Sequence, residues 1–387
     1  MRTIFIILAL SLAGTTLAQK KKAAPAPATA PIDYSIPLVA DHWQAPEGKL
    51  EFSEKNGTKF MKIKAGNQGS VIPKNINFTN GTIEFDFEPA SPMTLGSSPT
   101  IYFRGNKEAN DAEIFYIRAR PSNPRANDAI QYCPILAGVN MWDMYPQYQS
   151  HAFFETDKTN HLKMIVHGSQ MQVYINDMTK PALHIPKLEG RGHGTSLAFD
   201  GGMLVSNLYI KPNIVGELPA LPAPDLTEHD ANYIRNWLHT VVTDLPIGNE
   251  VYTVNLPKAE AFIDKIAAES FGLINLSRKY GNNQSRKVIY LKAKIKSENQ
   301  QKINMQLGFS DEVWLFLNNQ MIYVDKNLYL QAPMRKYPDG RISTQNSKVV
   351  VPLKAGENEL VIAVANDFYG WGIIARMESM DGLEFLN

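Results

Sequence analysis

The chain has 387 residues, enough for two domains of ordinary size that each bury a core. Its 39 Lys plus Arg stand against 38 Asp plus Glu, a formal net charge of +1, so the charge balance points neither to nucleic acid nor to an anionic membrane surface. A single cysteine excludes an internal disulfide, and 25 Gly, 24 Pro and 10% aromatic residues suit a turn-rich, all-β protein.

Arg2, the apolar run Ile4 to Ala13 and Thr16-Leu17-Ala18 ahead of Gln19 and three lysines read as a secretory signal peptide over residues 1–18. The run is too short to span a bilayer, so the expectation is an exported protein, secreted or periplasmic, without a membrane span. Residues 19–36, rich in Ala and Pro, read as a tether.

From 37 to 213 short strand-like runs follow one another: Lys59–Lys64, Gly81–Phe87, Thr100–Arg104, Ile114–Arg120, Leu162–Val166, Gln172–Ile175, Ser196–Phe199 and Leu204–Ile210. With turn signals between them and no helix of useful length, they predict an antiparallel β-sandwich. Asn160 to Asp177, with its hairpin Leu162-Lys-Met-Ile-Val-His-Gly168, and Val205-Ser-Asn-Leu-Tyr-Ile210 resemble the closing strands of concanavalin A-like (laminin G-like) jelly rolls, with His161 where that superfamily usually has Trp. Residues 214–226 carry prolines too densely for helix or central strand and read as a semi-rigid linker.

In 227–387, Lys258–Ser270 is apolar at Ala261, Phe262, Ile266 and Ala267 and predicts a helix, whereas His229–Val242 reads either as a helix or, over Ile234–Val242, as a first strand. Lys287–Ile295 alternates cleanly. Val313, Leu315 and Leu317 alternate with Trp314 and Phe316, and Leu360 to Val364 is a second run apolar on both faces, as in sheets buried on both sides. Asn318-Asn319 and Ala355-Gly356-Glu357-Asn358 supply the turns. Val313 to Asn319 and Leu353-Lys-Ala-Gly-Glu-Asn-Glu-Leu360 resemble the strand-and-turn pattern of the sugar-binding jelly roll of family 2 glycoside hydrolases, within the galactose-binding-like superfamily. The expected architecture is therefore all-β: two antiparallel β-sandwich (jelly-roll) domains, 37–213 and 227–387, joined by a Pro-rich linker.

Glu84-Phe-Asp-Phe-Glu88 places Glu84, Asp86 and Glu88 on one strand face. This resembles the E-x-D-x-E pattern of family 16 glycoside hydrolases, and the resemblance implies Glu84 as nucleophile, Asp86 as helper and Glu88 as acid/base. The alternative is a charge ladder paired in solvent, as in non-catalytic laminin G-like domains. Tyr102 with Arg104, and Tyr116 with Arg118 and Arg120, form neighbouring rows. If all three strands faced one side, carboxylates, guanidinium groups and rings would together suit a sugar. Trp142 and Tyr145, in the loop Asn140–Tyr148, and Trp371, beside Phe368 and Tyr369, are further candidate ligand contacts, or pins for their loops.

Five of eight histidines fall between His151 and His193, but none pairs at a metal-ligand spacing. Cys133 reads as a small buried hydrophobe. No nucleotide-binding or serine-hydrolase motif is present, no cofactor is implied, and structural calcium stays open. Three functions remain: an exported binder of polysaccharide or oligosaccharide, a glycan hydrolase of family 16 type or like the 3-keto-disaccharide hydrolases, and a structural or adhesive surface protein.

Overall fold

The computed structural model describes residues 33–66, 69–94, 97–118, 126–156, 158–192, 194–282 and 285–386. The segment read as a signal peptide, nearly all of the segment read as a tether, Arg120 and His193 lie outside them. Among the described residues the chain is strand and turn, with a single short α-helix, Leu276–Tyr280, capped by the Asn275 side chain accepting from the Arg278 N–H.

The first sandwich is built on Gly81–Pro89, whose alternation sends Ile83, Phe85 and Phe87 into the core and leaves Glu84, Asp86 and Glu88 on the outer face. This strand is central in a seven-stranded antiparallel sheet, flanked by Asn160–His167 and Met203–Pro212. Opposite lies a six-stranded sheet containing Ser196–Asp200, Thr100–Asn106, Asp111–Ile117 and Ile130–Leu136. Phe85 meets Phe199 edge to face at 5.9 Å, and Trp43 meets Phe199 at the same distance. Burying each such ring stabilises the sandwich by roughly 1.5–3 kcal/mol.

The second sandwich pairs an eight-stranded with a four-stranded antiparallel sheet. Val313, Leu315 and Leu317 of Glu312–Leu317 enter the core between the sheets with Leu360, Ile362 and Val364. Trp314 and Phe316 point the other way and join Val361 and Ala363 beneath Leu245, Val251 and Phe262. The sheet is buried on both faces because the segment preceding its long strands folds back over it. Asn318 and Asn319 take φ of 49° and 64°, the left-handed conformation that the turn demands.

Two expectations are corrected. Lys258–Ser270 is not a helix: a 3-10 turn at Ala259–Ala261 leads into the strand Asp264–Ala267, which pairs with Asn236–His239. Its apolar residues serve two surfaces, Phe262 covering the outer face and Ile266 lying opposite Trp237, so no single helical stripe exists to bury. Residues 214–226 do not act as a spacer either. They run back along the first sandwich, where the Ala220 carbonyl accepts from Ser169 N–H at 2.7 Å and Ala223 N–H donates to the Pro186 carbonyl at 2.9 Å.

The sandwiches pack directly on each other. Tyr145 Oη donates to Glu269 Oε2 at 2.6 Å and accepts from Asn275 Nδ2 at 3.0 Å and Arg278 Nη2 at 3.1 Å. Arg278 also donates to the Glu189 carbonyl at 2.8 Å, and Lys187 Nζ to Ser270 Oγ at 2.9 Å.

Candidate functional site: a groove floored by the six-stranded sheet

The acidic row and the two Tyr/Arg rows do not share a side. Glu84, Asp86 and Glu88 lie on the outer face of the seven-stranded sheet, whereas Tyr102, Tyr116 and Arg118 belong to the six-stranded one. Each acid has a local partner. Lys211 Nζ pairs with Glu84 Oε2 at 2.5 Å; the His161 ring contacts Glu84 Oε1 at 3.1 Å and Asp86 Oδ1 at 2.7 Å; Asn207 donates to Asp86 Oδ2 at 2.7 Å, and Thr159 to Glu88 Oε1 at 2.6 Å. Partial burial would raise the Glu84 carboxyl, but the hydrogen bonds from Lys211 and His161 outweigh it and hold it below the usual carboxylate range. The face is a compensated ladder, and His161 is its bridge.

The six-stranded sheet presents a different outer face. Cross-strand register puts Ala198, Tyr102, Ile114 and Cys133 in one row and Tyr116 with Gln131 in the next. Tyr116 Oη donates to Gln131 Oε1 at 3.0 Å and accepts from Arg118 Nη2 at 2.9 Å, while Gln131 Nε2 donates to the Trp142 carbonyl at 2.6 Å and so pins the Asn140–Tyr148 loop to the floor. Burial, then the charge of Asp200, pushes Tyr102 up to about 12, and Tyr369 is near enough to add to that shift. Both tyrosines are half-buried, and the Tyr116 hydroxyl is already engaged by Gln131 and Arg118. Cys133 is fully buried in this floor with its thiol raised by burial, and Sγ contacts Asn140 Oδ1 at 3.1 Å.

The wall comes from the second sandwich. Tyr329 stacks parallel to Phe368 at 6.0 Å, Phe368 meets Tyr369 edge-on at 4.4 Å, and Trp142 closes the cluster at 4.6 Å from Tyr329 and 6.0 Å from Tyr369. Tyr369 is 39% exposed with φ +61°, an outlying conformation for a bulky residue. Its carbonyl accepts from Asn282 Nδ2 at 2.5 Å, and the next N–H, of Gly370, is aimed at both oxygens of Asp143 at 3.2 and 3.3 Å. Gly370 must lack a Cβ here, since one would lie 2.3 Å from Met144. Beside this ring an open cleft of about 370 Å³ runs between Val139 of the first sandwich and Asn282, Asp367 and Phe368 of the second.

Two buried acids set the wall in place. Asp311 Oδ2 accepts from the N–H groups of Asp367 and Phe368 at 2.5 and 2.9 Å, and Ser310 Oγ stands 3.0 Å from Asp311 Oδ1 and 3.4 Å from Asp143 Oδ2. Burial raises Asp143 to about 8; burial first, then the charge of Asp143, raises Asp311 well above the ordinary value. Close carboxyls inside a protein cannot both ionise cheaply, so the pair keeps a proton at neutral pH.

Of the residues singled out in the sequence, the structure brings Tyr102, Tyr116, Arg118 and Trp142 together. Trp142, at 6% exposure, is a structural post under the wall and not an open platform. Trp371 and Tyr145 are buried at 1% each, Trp371 Nε1 donating to the Gly281 carbonyl at 2.9 Å, so neither ring has a free face for a ligand. Arg104 leaves the row because φ +51° and a register slip turn it away from Tyr102, and it donates to the Thr79 and Gly168 carbonyls at 2.8 and 2.7 Å. Tyr329, Arg341 and the two aspartates were missed. The acid at Asp143, inside Met141-Trp-Asp-Met-Tyr145, was the available signal, because a carboxylate in an apolar run needs buried donors. The described histidines do not gather: His167 contacts the Leu218 carbonyl and His184 contacts Gln170.

No protein-family model matches the chain, and no curated protein matches it. Solved structures do. The carbohydrate-binding module CBM66 from Bacillus subtilis aligns at 12% identity over 44% of this chain and 95% of its own, with a TM-score of 0.32. A protein of unknown function with a galectin-like fold, also from Bacillus subtilis, aligns at 13% over 47% and 96%, TM-score 0.33. A galectin of Caenorhabditis elegans aligns at 15% over 43% and 99%, TM-score 0.26. Each spans less than half of this chain, and at this similarity no residue role passes from them.

Proposed function

We propose that the chain is a carbohydrate-binding protein whose ligand lies in the groove between the six-stranded sheet and the aromatic wall. The observation that carries the reading is Tyr369, a half-open ring held at positive φ by Asn282 and Asp143 beside a floor that presents the half-buried ring and hydroxyl of Tyr102. A ring face takes the apolar side of a sugar, and a hydroxyl donor takes its oxygens. The positive φ is a cost that the surrounding hydrogen bonds sustain, which is what a pre-placed contact requires.

The ligand class we infer is an extracellular or periplasmic poly- or oligosaccharide, in keeping with the signal-peptide pattern of residues 1–18. Binding alone accounts for the groove. The acids with a precedent for hydrolysis sit on the opposite sheet, each hydrogen-bonded through at least one oxygen.

The test is a glycan array and a polysaccharide-hydrolysis screen with the full chain beside Tyr369→Ala and Glu84→Gln. Binding lost in Tyr369→Ala and kept in Glu84→Gln supports the proposal. Sugar release abolished in Glu84→Gln would replace it with a hydrolase.

A further inference from the structure

The open cleft beside Tyr369 holds a carboxylate that no group of the protein engages. Asp367 is exposed and lines the cleft together with Phe368, Tyr369 and Val139. The chain around it is firmly held. The N–H groups of Asp367 and Phe368 both donate to Asp311 Oδ2, Asn366 Nδ2 donates to Asn282 Oδ1 at 2.6 Å, and Asn366 Oδ1 accepts from the Lys287 N–H at 2.6 Å. The Asp367 side chain itself has no hydrogen-bond donor and no ion-pair partner among the described residues.

The cations whose charge reaches Asp367 are committed elsewhere. Arg286 closes on Glu312 through Nε at 2.6 Å and Nη2 at 2.9 Å and gives Nη1 to the Pro246 and Asn249 carbonyls. Lys326 Nζ lies between Glu250 at 2.6 Å and Glu312 at 2.7 Å. Partial burial, then the charge of Glu312, raises the Asp367 carboxyl above its ordinary value, so the fold holds this acid at a cost that no internal contact offsets. A carboxylate with a pinned backbone and unengaged oxygens, placed in a cleft beside an open ring, has the character of a ligand contact.

We infer that Asp367 is the polar anchor of the groove and that the ligand is a neutral sugar, two adjacent hydroxyls of which donate to the Asp367 oxygens while the sugar ring rests on Tyr369. The inference deepens the carbohydrate reading above and depends on it. A carboxylate presents two acceptor oxygens to a vicinal diol, and hydrogen bonds to an ionised acceptor are roughly twice as strong as neutral ones. The same charge repels a uronate or a sulfate ester.

The full chain and its Asp367→Ala, Asp367→Asn and Tyr369→Ala variants would be titrated by calorimetry with cellotetraose, mannotetraose and galactotetraose, and with trigalacturonate as the acidic counterpart. At least one neutral tetrasaccharide should bind, and trigalacturonate should bind roughly tenfold or more weaker. Asp367→Ala should weaken the neutral sugar by roughly tenfold or more, the loss expected of hydrogen bonds to a charged acceptor. Asp367→Asn, which keeps the shape and one acceptor without the charge, should keep part of the affinity and narrow the gap to trigalacturonate. Both Asp367 variants should melt no lower than wild type, because the carboxylate bonds nothing in the protein and is repelled by Glu312. Affinity and melting temperature falling together in both variants would make Asp367 a support of its loop and overturn the inference. Unchanged affinity in Asp367→Ala, or trigalacturonate bound as tightly as the neutral sugar, overturns it as well; if Tyr369→Ala still abolishes binding, the carbohydrate reading stands alone. Failure of every sugar to bind brings down both.

Discussion

The two outer faces of the first sandwich hold the same kinds of side chain and do opposite things. On the seven-stranded sheet, Glu84, Asp86, His161 and Lys211 come from three adjacent strands and satisfy one another in partial contact with water. On the six-stranded sheet, Tyr116, Gln131 and Arg118 begin a network that the second sandwich completes: Arg341 meets Asp128 across 213 residues, and Gly370 meets Asp143 across 227. Where partners come from neighbouring strands, the polar groups largely satisfy one another. Where they come from far along the chain, geometry leaves a ring half open, and a ligand has something to gain.

The comparison breaks most sharply at its buried support. Asp143→Ala removes the acceptor of the Gly370 N–H and a partner of Ser310 in a site 2% exposed, so it should cost about 2–4 kcal/mol in urea unfolding, from an orphaned buried donor plus a small cavity. It should also release Tyr369 and abolish glycan binding. Asp143→Asn keeps an acceptor and should cost much less.

The same residue fixes a pH dependence. In the folded chain Asp143 titrates at about 8 against an ordinary 3.8, and burial likewise raises Glu113 to about 7. A folded pKa above the unfolded one means that the native state binds the extra proton. The stability this contributes is whole below 3.8, declines as the pH rises, and is gone above about 8. Melting temperature should therefore fall between pH 5 and 8, and Asp143→Asn should flatten the slope without removing the part owed to Glu113. A profile that rises over this range in the wild type would contradict a protonated Asp143.

Much of the fold was legible because alternation is a local signal. Gly81–Phe87, Thr100–Arg104 and Leu204–Ile210 sit inside observed strands, and the Asn318-Asn319 turn has the expected conformation. What alternation does not carry is which strand pairs with which. The acids of Gly81–Pro89 and the tyrosine of Thr100–Asn106 are close in sequence yet belong to opposite sheets, because Gly81–Pro89 pairs instead with Asn160–His167 and Met203–Pro212. The site was half legible for the same reason. Tyr102, Tyr116 and Arg118 lie on recognisable strands, but Ser310 is 167 residues from Asp143, and nothing local says that Trp142 is roofed or that Tyr369 is the ring left open.

A smaller effect isolates the wall. Tyr369→Ala removes an exposed ring and should weaken glycan binding by roughly tenfold or more, as for loss of an aromatic anchor, with little change in melting temperature. Tyr369→Gly should bind as poorly yet unfold later, by about 1 kcal/mol, because glycine adopts φ near +61° without the steric cost. Together they separate the ring's contact from the backbone that presents it.

The smallest effect belongs to the ladder, and its smallness is the point. Glu84, His161 and Lys211 side chains are 22%, 36% and 28% exposed, so water screens the attractions that lower the Glu84 pKa. Glu84→Gln should cost about 1 kcal/mol or less, and the cost should shrink further in high salt as the Debye length contracts. Because the lowered Glu84 pKa adds stability above its unfolded value and loses it as the pH falls through the folded one, the variant should differ from wild type least in acid, below the folded pKa. Glycan binding in the groove on the other sheet should not change. A Glu84→Gln chain that kept its stability but lost binding would place the ligand on the seven-stranded face, and the contrast between the two faces would have to be read the other way round.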